Sequence, residues 1–235
     1  TLPHEHLVDS GAGIAMTYPE LANREKSLED ALGDYSRAKA AGIDTIVEVS
    51  TLDLGRDVGL MREVSTRTGV NIICATGCWL DVPRSFWGRD PKFIANLWVR
   101  EIEIGIEGTD IKAGVIKVAT EDPISAHAEL MLRAAAATHH RTGVPITTHT
   151  PLKTNVGLEQ IRILEEEGVE MKNVYIGHAN NTIDRDYHVA IMEKGAYLGW
   201  DINNTNGHPE LPSWQIRTDY LKTLLDDGYA ENIMI

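Results

Sequence analysis

The sequence predicts an α/β fold of the (β/α)₈ type, a TIM barrel whose parallel strands alternate with helices. Short apolar runs alternate with amphipathic helical patterns along the chain, with no linker-like or low-complexity segment between them. Polar residues of metal-ligand types recur at the carboxyl ends of these runs, which is where such barrels build their sites. A length of 235 residues suits one domain of this type.

Seven strand–helix pairs and the start of an eighth strand follow from the periodicity of apolar residues. After a first strand around His4, the predicted strands are 44–50, 71–76, 114–119, 144–148, 174–177, 196–200 and 232–235. The predicted helices are 27–42, 56–67, 91–106, 125–141, 155–167, 184–194 and 214–227. The rival fold, a doubly wound open sheet, would need a glycine-rich phosphate-binding turn after an early strand, and the sequence has none.

Composition and charge restrict the binding partners. A formal net charge of −13 argues against nucleic acid and anionic membrane surfaces, so a small molecule is the expected partner. No apolar run is long enough to cross a membrane, and no secretory signal is visible. Because the first residues already belong to the first strand, localisation stays open between the cytoplasm, which is slightly favoured, and a cleaved export route. Cys74 and Cys78 lie in and just after an apolar run, which favours core thiols over a metal pair.

His4 and His6 occupy alternate positions of the first strand, so their imidazoles point to one side and can bind one metal ion. The spacing alone is equally compatible with a chance pair on a half-buried strand. Lys117, His149 and His178 strengthen the metal interpretation, since each lies near the carboxyl end of a later apolar run. Because parallel strands point the same way, these ends converge on one rim of the barrel.

Two divalent ions held by four uncharged imidazoles would need an anionic bridge. A lysine ammonium cannot act as a ligand, but a buried lysine with a depressed pKa can capture carbon dioxide as a carbamate. A carbamate has one negative charge and two oxygens, which suits a bridge between two ions. From its position alone, a Lys117 side chain that reaches solvent is the preferred interpretation.

Several segments resemble the signature segments of the phosphotriesterase family in the amidohydrolase superfamily. They are HEH at 4–6, AGVIKVAT at 113–120, GVPITTHT at 143–150 and IGH at 176–178. Further similarity lies in IVEVSTLDLGRD at 46–57, ATGCW at 75–79 and SWQIR at 213–217. The similarity spans the whole chain, and its motifs are specific.

By this resemblance, His4 and His6 bind the more buried of two metal ions, and His149 and His178 bind the more exposed one. Lys117 carries the bridging carbamate, which now becomes the preferred interpretation of this lysine. Zinc is the expected metal, with cobalt, manganese or iron as alternatives. The resemblance also implies a homodimer.

The implied function is metal-assisted hydrolysis of phosphotriesters, of the aryldialkylphosphatase type, with hydroxide attack at phosphorus. Trp79 resembles the aromatic residue that walls the leaving-group pocket, and together with 213–217 it favours phosphotriesters. The alternative is a lactonase of acyl-homoserine-type lactones with secondary phosphotriesterase activity, since the connection from Asp201 to Trp214 is short. Asp201 and His208 are candidates for substrate contact, and Asp201 could equally brace the rim.

Two departures from the family pattern limit this assignment. The family places an aspartate, a metal ligand and general base, just after the start of strand eight, and this chain does not contain it. Asn180 and Asn181 occupy positions where family members often carry proton-relaying acids, and an amide cannot carry a proton. An inactive barrel fragment or binding protein is therefore a candidate of another class.

The strand–helix pattern stops early in the eighth strand. We therefore expect residues 1–235 to form a single metal-dependent hydrolase domain without the rest of that strand and the last helix. An unclosed barrel leaves two sheet edges open to pairing with other chains. For this reason we expect residues 1–235 expressed alone not to form an independently folded, active enzyme.

The other histidines and one tryptophan have plainer interpretations. Trp200 is predicted to pack in the core. The histidines at helix positions are predicted to be solvated, because helix surfaces and helix ends are their commonest locations. They are His127, His139, His140 and His188.

Overall fold

Eight parallel strands form a single sheet that curves into a nearly closed barrel, which confirms the predicted fold class. The structure is a computed structural model and describes residues 1–202 and 210–235. Each strand pairs with the next strand along the chain. The strands are β1 (Leu2–Glu5), β2 (Thr45–Glu48), β3 (Asn71–Cys78), β4 (Ala113–Ala119), β5 (Ile146–His149), β6 (Val174–Ile176), β7 (Tyr197–Gly199) and β8 (Ile233–Met234).

The described part of the chain contains eight α-helices. They are α1 (Ile14–Thr17), α2 (Arg24–Ala40), α3 (Val58–Thr68), α4 (Pro91–Glu103), α5 (Ala126–Thr142), α6 (Gly157–Glu166), α7 (Arg185–Glu193) and α8 (Trp214–Asp226). The helices α2 to α8 match the predicted ones, and α1 is a short addition between β1 and α2. Outside 203–209, no helix is both long enough and apolar enough to cross a membrane.

Capping residues explain where most of these helices begin. Six helices start after a residue whose side-chain oxygen accepts a hydrogen bond from a backbone N–H of the first turn. These residues are Asn23, Asp57, Asp90, Ser125, Asp184 and Ser213. Because Asn23 supplies such a cap, α2 begins at Arg24 rather than at the predicted residue 27.

Helices cover the barrel and bury an apolar layer against its strands. Two histidines that were predicted to be solvated are buried as well. His139 is only 9% exposed, and its Nδ1 lies 2.8 Å from the carbonyl oxygen of Val144. His188 is fully buried, with Nε2 2.8 Å from the carbonyl oxygen of Ala179 and Nδ1 3.1 Å from the hydroxyl of Tyr220. Both predictions were wrong, because an imidazole with hydrogen-bonded nitrogens can be buried.

Other plain interpretations are confirmed. Cys74 and Cys78 are buried free thiols, and Trp200 packs in the core. His127 lies half-buried on the outer surface of α5, where its ring stacks on the exposed Trp87 with centroids 4.7 Å apart.

Arg56 is a buried cation between β3 and α4. Its guanidinium donates two hydrogen bonds to Glu101 (2.8 and 3.0 Å), one to the Ala75 carbonyl oxygen (2.7 Å) and one to Glu107 (3.2 Å). Because Arg56→Ala leaves Glu101 partly buried without its partner, we expect the free energy of unfolding in urea to fall by about 3–5 kcal/mol. Arg162→Ala removes only exposed ion pairs and should leave the unfolding midpoint unchanged. Equal midpoints for the two variants would contradict this role of Arg56.

Candidate metal centre

The carboxyl ends of the strands bring the five predicted metal ligands into one cluster. His4 lies on β1 and His6 just after it, Lys117 lies on β4, His149 ends β5 and His178 follows β6. Ring centroids are 4.5 Å apart for His4 and His178, 4.6 Å for His149 and His178, and 5.5 Å for His4 and His6. The predicted convergence on one rim is therefore observed, while the ligand roles themselves stay predictions.

Lys117 is fully buried, so the interpretation in which its side chain reaches solvent is wrong. Its Nζ lies 2.7 Å from Nε2 of His4, a neutral partner rather than a carboxylate. Burial lowers the pKa of the Lys117 amine to about 7, although the charges of Asp201 and Glu48 favour the protonated form. A buried amine with a depressed pKa is the form that can react with carbon dioxide.

Burial also favours the neutral form of three imidazoles of this cluster, those of His4, His6 and His149. It lowers the pKa of His149 to about 2 and that of His6 to about 3, and the nearby charges of His178 and Lys117 act in the same direction. The pKa of His4 lies well below its usual value, again chiefly because of burial. A neutral imidazole has the free lone pair that a metal ion needs, so this donor set suits a transition metal.

Asp201 lies just after β7, and its carboxylate packs against the cluster. The side chain is only 2% exposed. Its Oδ1 lies 3.0 Å from Nδ1 of His178, and its two oxygens accept the backbone N–H of His178 at 3.0 and 3.1 Å. Its Oδ2 also accepts a hydrogen bond from the Tyr175 hydroxyl at 2.8 Å and lies 3.3 Å from Nδ1 of His4. Burial alone would raise the pKa of Asp201, but His178 and Tyr175 hold it below its usual value.

Two roles were considered for Asp201, which are contact with the substrate and bracing of the barrel rim. The contacts described above are of the kind expected for bracing. One atom each from His4, His178 and Asp201 lie within 4.8 Å of one another, so this triad could also hold a metal ion. The carboxylate, whose pKa is lowered, already accepts hydrogen bonds on both oxygens, which makes it suited to orienting the imidazole of His178.

Glu48 and Ser50 support His6, and the sequence reasoning did not single them out. The Nδ1 of His6 lies 3.1 Å from Oγ of Ser50, and that oxygen lies 2.6 Å from both a Glu48 carboxylate oxygen and the Val8 carbonyl oxygen. Glu48 is fully buried and also accepts the backbone N–H of Leu7 at 2.8 Å. Two polar residues at alternate positions of one apolar run are the signal that could have indicated them.

Trp79 lies beside the cluster in the loop that follows β3. Its ring meets the ring of His149 edge to face, with centroids 5.5 Å apart and planes at 81°. Asp53 holds this loop, because its carboxylate accepts the backbone N–H of Trp79 at 2.9 Å and that of Asp81 at 3.1 Å. His208, a candidate for substrate contact, lies outside the described residues.

The model of the family described as "Phosphotriesterase family" matches residues 1–235. The chain belongs to the phosphotriesterase family. An aryldialkylphosphatase of Saccharolobus solfataricus is 37% identical over 238 residues, which cover 100% of this chain and 75% of that relative. The phosphotriesterase homology protein of Escherichia coli is 31% identical over 240 residues, which cover 100% of this chain and 80% of that relative.

The chain is also similar to a relative of the phosphotriesterase family with a different named activity. The N-acetyltaurine hydrolase of Danio rerio is 30% identical over 208 residues, which cover 84% of this chain and 60% of that relative. The family and these named relatives together indicate a hydrolase. The family resemblance predicted from the sequence segments is confirmed.

Proposed function

We propose that this phosphotriesterase-family chain is a binuclear-metal hydrolase of phosphotriesters, of the aryldialkylphosphatase type. The observation that carries the proposal is the buried cluster in which the amine of Lys117 contacts His4 among further imidazoles. Buried polar donors are costly to a fold, and apolar side chains would fill this space at lower cost. Identity of 37% to an aryldialkylphosphatase supports the choice of substrate.

The donor set fits two divalent transition-metal ions. We assign His4 and His6 to one ion, His149 and His178 to the other, and Lys117, as a carbamate, to both. Nitrogen ligands favour zinc over magnesium or calcium, which prefer oxygen. When bound, such ions supply a water of lowered pKa and a Lewis acid for the phosphoryl oxygen of the substrate.

The residues around the cluster orient its donors. Asp201 is acceptor-only when ionised, so Nδ1 of His178 carries a proton, and in the neutral tautomer that this favours Nε2 is left free. The Ser50 hydroxyl has one proton, which it donates to Glu48 or to the Val8 carbonyl oxygen, so its oxygen accepts from Nδ1 of His6 and Nε2 of that ring is left free. Fixed rings of this kind bind a metal more tightly than mobile ones, because less order is lost on binding.

Trp79→Ala should raise KM roughly tenfold for a phosphotriester with an aromatic leaving group, and should change kcat less. The reason is that the lost ring packs against the leaving group beside His149 and takes no part in bond breaking. Trp87→Ala is the matched control, since Trp87 stacks on His127 instead. If steady-state kinetics give the same KM for Trp79→Ala and the wild-type protein, Trp79 does not line the leaving-group pocket.

A lactonase is the second candidate function. A lactone presents the same polarised oxygen and oxygen leaving group to such a site. The sequence between Asp201 and Trp214 is short, and this short connection favours the lactonase candidate. The relative named N-acetyltaurine hydrolase adds an amide as a third substrate class to be tested.

The test of the proposed function compares kcat/KM of metal-loaded protein for p-nitrophenyl diethyl phosphate, an acyl-homoserine lactone and N-acetyltaurine. We expect the phosphotriester to give the largest value. A larger value for the lactone would assign the chain as a lactonase. Failure of the fully loaded protein to turn over any of the three would favour a binding protein or an inactive barrel.

A further inference from the structure

Two buried side chains form hydrogen bonds between the loop after β6 and the residues that follow β7. From the β7 side, Asp201 accepts hydrogen bonds from the ring and the backbone of His178. From the β6 side, Asn180 donates from Nδ2 to the Ile202 carbonyl oxygen at 3.0 Å and accepts the Ile202 N–H at Oδ1 at 3.2 Å. We call this reciprocal arrangement the Asp201–Asn180 clasp.

His178 has a backbone that requires such support. Its φ of 60° lies in the left-handed region, which a side chain with a Cβ rarely adopts. The carboxylate of Asp201 binds both the N–H of this strained residue and its Nδ1, so one group fixes the backbone and the ring. The same carboxylate lies 3.3 Å from Nδ1 of His4, whose Nε2 faces Lys117.

The clasp also explains why position 180 is an asparagine. The amide of Asn180 is fully buried and gives one donor and one acceptor to the same residue, Ile202, as a neighbouring strand would. An aspartate has no donor for the Ile202 carbonyl oxygen and would place a buried charge beside it. The guanidinium of Arg217 also donates to this carbonyl oxygen, which connects the clasp to α8.

We infer that Asp201 and Asn180 are positioning residues that hold His178 with Nε2 as its free nitrogen for the metal ion. This inference rests on the proposed function. It gives Asn180 a role in metal affinity instead of proton transfer. An acidic residue at this position would therefore weaken the site and would not restore a proton path.

The test compares cobalt(II) affinity, measured by chelator competition and visible absorption, in the wild-type protein, Asn180→Asp and Asp201→Asn. We expect the two variants to bind the ion assigned to His149 and His178 about 10–100-fold more weakly. Asn181→Ala is the matched control, since its buried amide has no hydrogen-bond partner among the described residues. This control should bind cobalt as the wild-type protein does.

Nitrogen–proton NMR of the ring-labelled, metal-free protein gives a second readout. We expect His178 to be protonated at Nδ1 in the wild-type protein and to become a mixture of tautomers in Asp201→Asn. The thermal midpoints of the metal-free proteins are measured in parallel. A residue with a merely structural role would lower the midpoint without changing the tautomer or the affinity of the folded fraction.

The outcomes separate the inference from the proposed function. If wild-type protein binds cobalt and both variants bind it equally well, the inference is overturned and the proposed function stands. If the wild-type protein binds no cobalt, the proposed function is overturned. The wild-type NMR spectrum requires no variant to fold, and a His178 ring protonated at Nε2 would overturn the clasp by itself.

Discussion

Lys117→Ala should lower kcat/KM for phosphotriester hydrolysis roughly a thousandfold, which corresponds to about 4 kcal/mol of transition-state stabilisation. The physical reason is that alanine removes the proposed anionic bridge and leaves two cations without a shared counter-charge. Because Lys117 is fully buried against His4, the substitution also creates a cavity that a small carboxylate can enter. We therefore expect added acetate to restore part of the lost activity.

Two further variants distinguish the bridge from the charge of the lysine. Lys117→Arg keeps a positive charge and forms no carbamate, so it should stay inactive with and without acetate. Lys194→Ala is the control, because Lys194 is exposed and paired with Glu165 far from the cluster. Full activity of Lys117→Ala without any added acid would refute the bridge.

His149→Ala should retain about one metal ion instead of two and should lose activity roughly a hundredfold. His149 ends β5 next to His178, and the two form the proposed ligand pair of the second ion. Removing one ligand of this pair weakens the binding of the second ion much more than the binding of the ion assigned to His4 and His6. Elemental analysis after dialysis and activity as a function of added zinc measure the two effects.

The matched control for this variant is His140→Ala. His140 is exposed, and its Nε2 lies 2.7 Å from the carbonyl oxygen of Glu167, outside the cluster. A high zinc concentration should restore part of the activity of His149→Ala, because the occupancy of a site with lowered affinity rises with the zinc concentration. Two tightly held ions in His149→Ala would exclude His149 from the ligand set.

The barrel could be predicted from the sequence because its elements depend on local patterns of apolar residues. The strand β4 and the helix α5, for example, agree with the predicted ranges 114–119 and 125–141 to within one residue at each end. The approach of His149 to His178 was predictable for a related reason, since parallel strands fix which ends meet.

Contacts between distant segments could not be predicted in this way. His188 was predicted to be solvated, since nothing in its own helix shows that Tyr220 covers it. The brace between Asp201 and His178, and the bonds of Asn180 to the end of β7, exist only because β6 and β7 lie side by side. Sequence reasoning therefore found the candidate ligands but missed most of the residues that hold them.

The metal content of the purified, full-length wild-type protein tests the central claim most directly. Elemental analysis after growth with added zinc should find about two transition-metal ions per chain. This result is expected from the cluster of His4, His6, Lys117, His149 and His178 at the carboxyl ends of the strands. A folded protein that carries no metal after such growth would contradict the assignment of this cluster as a metal centre.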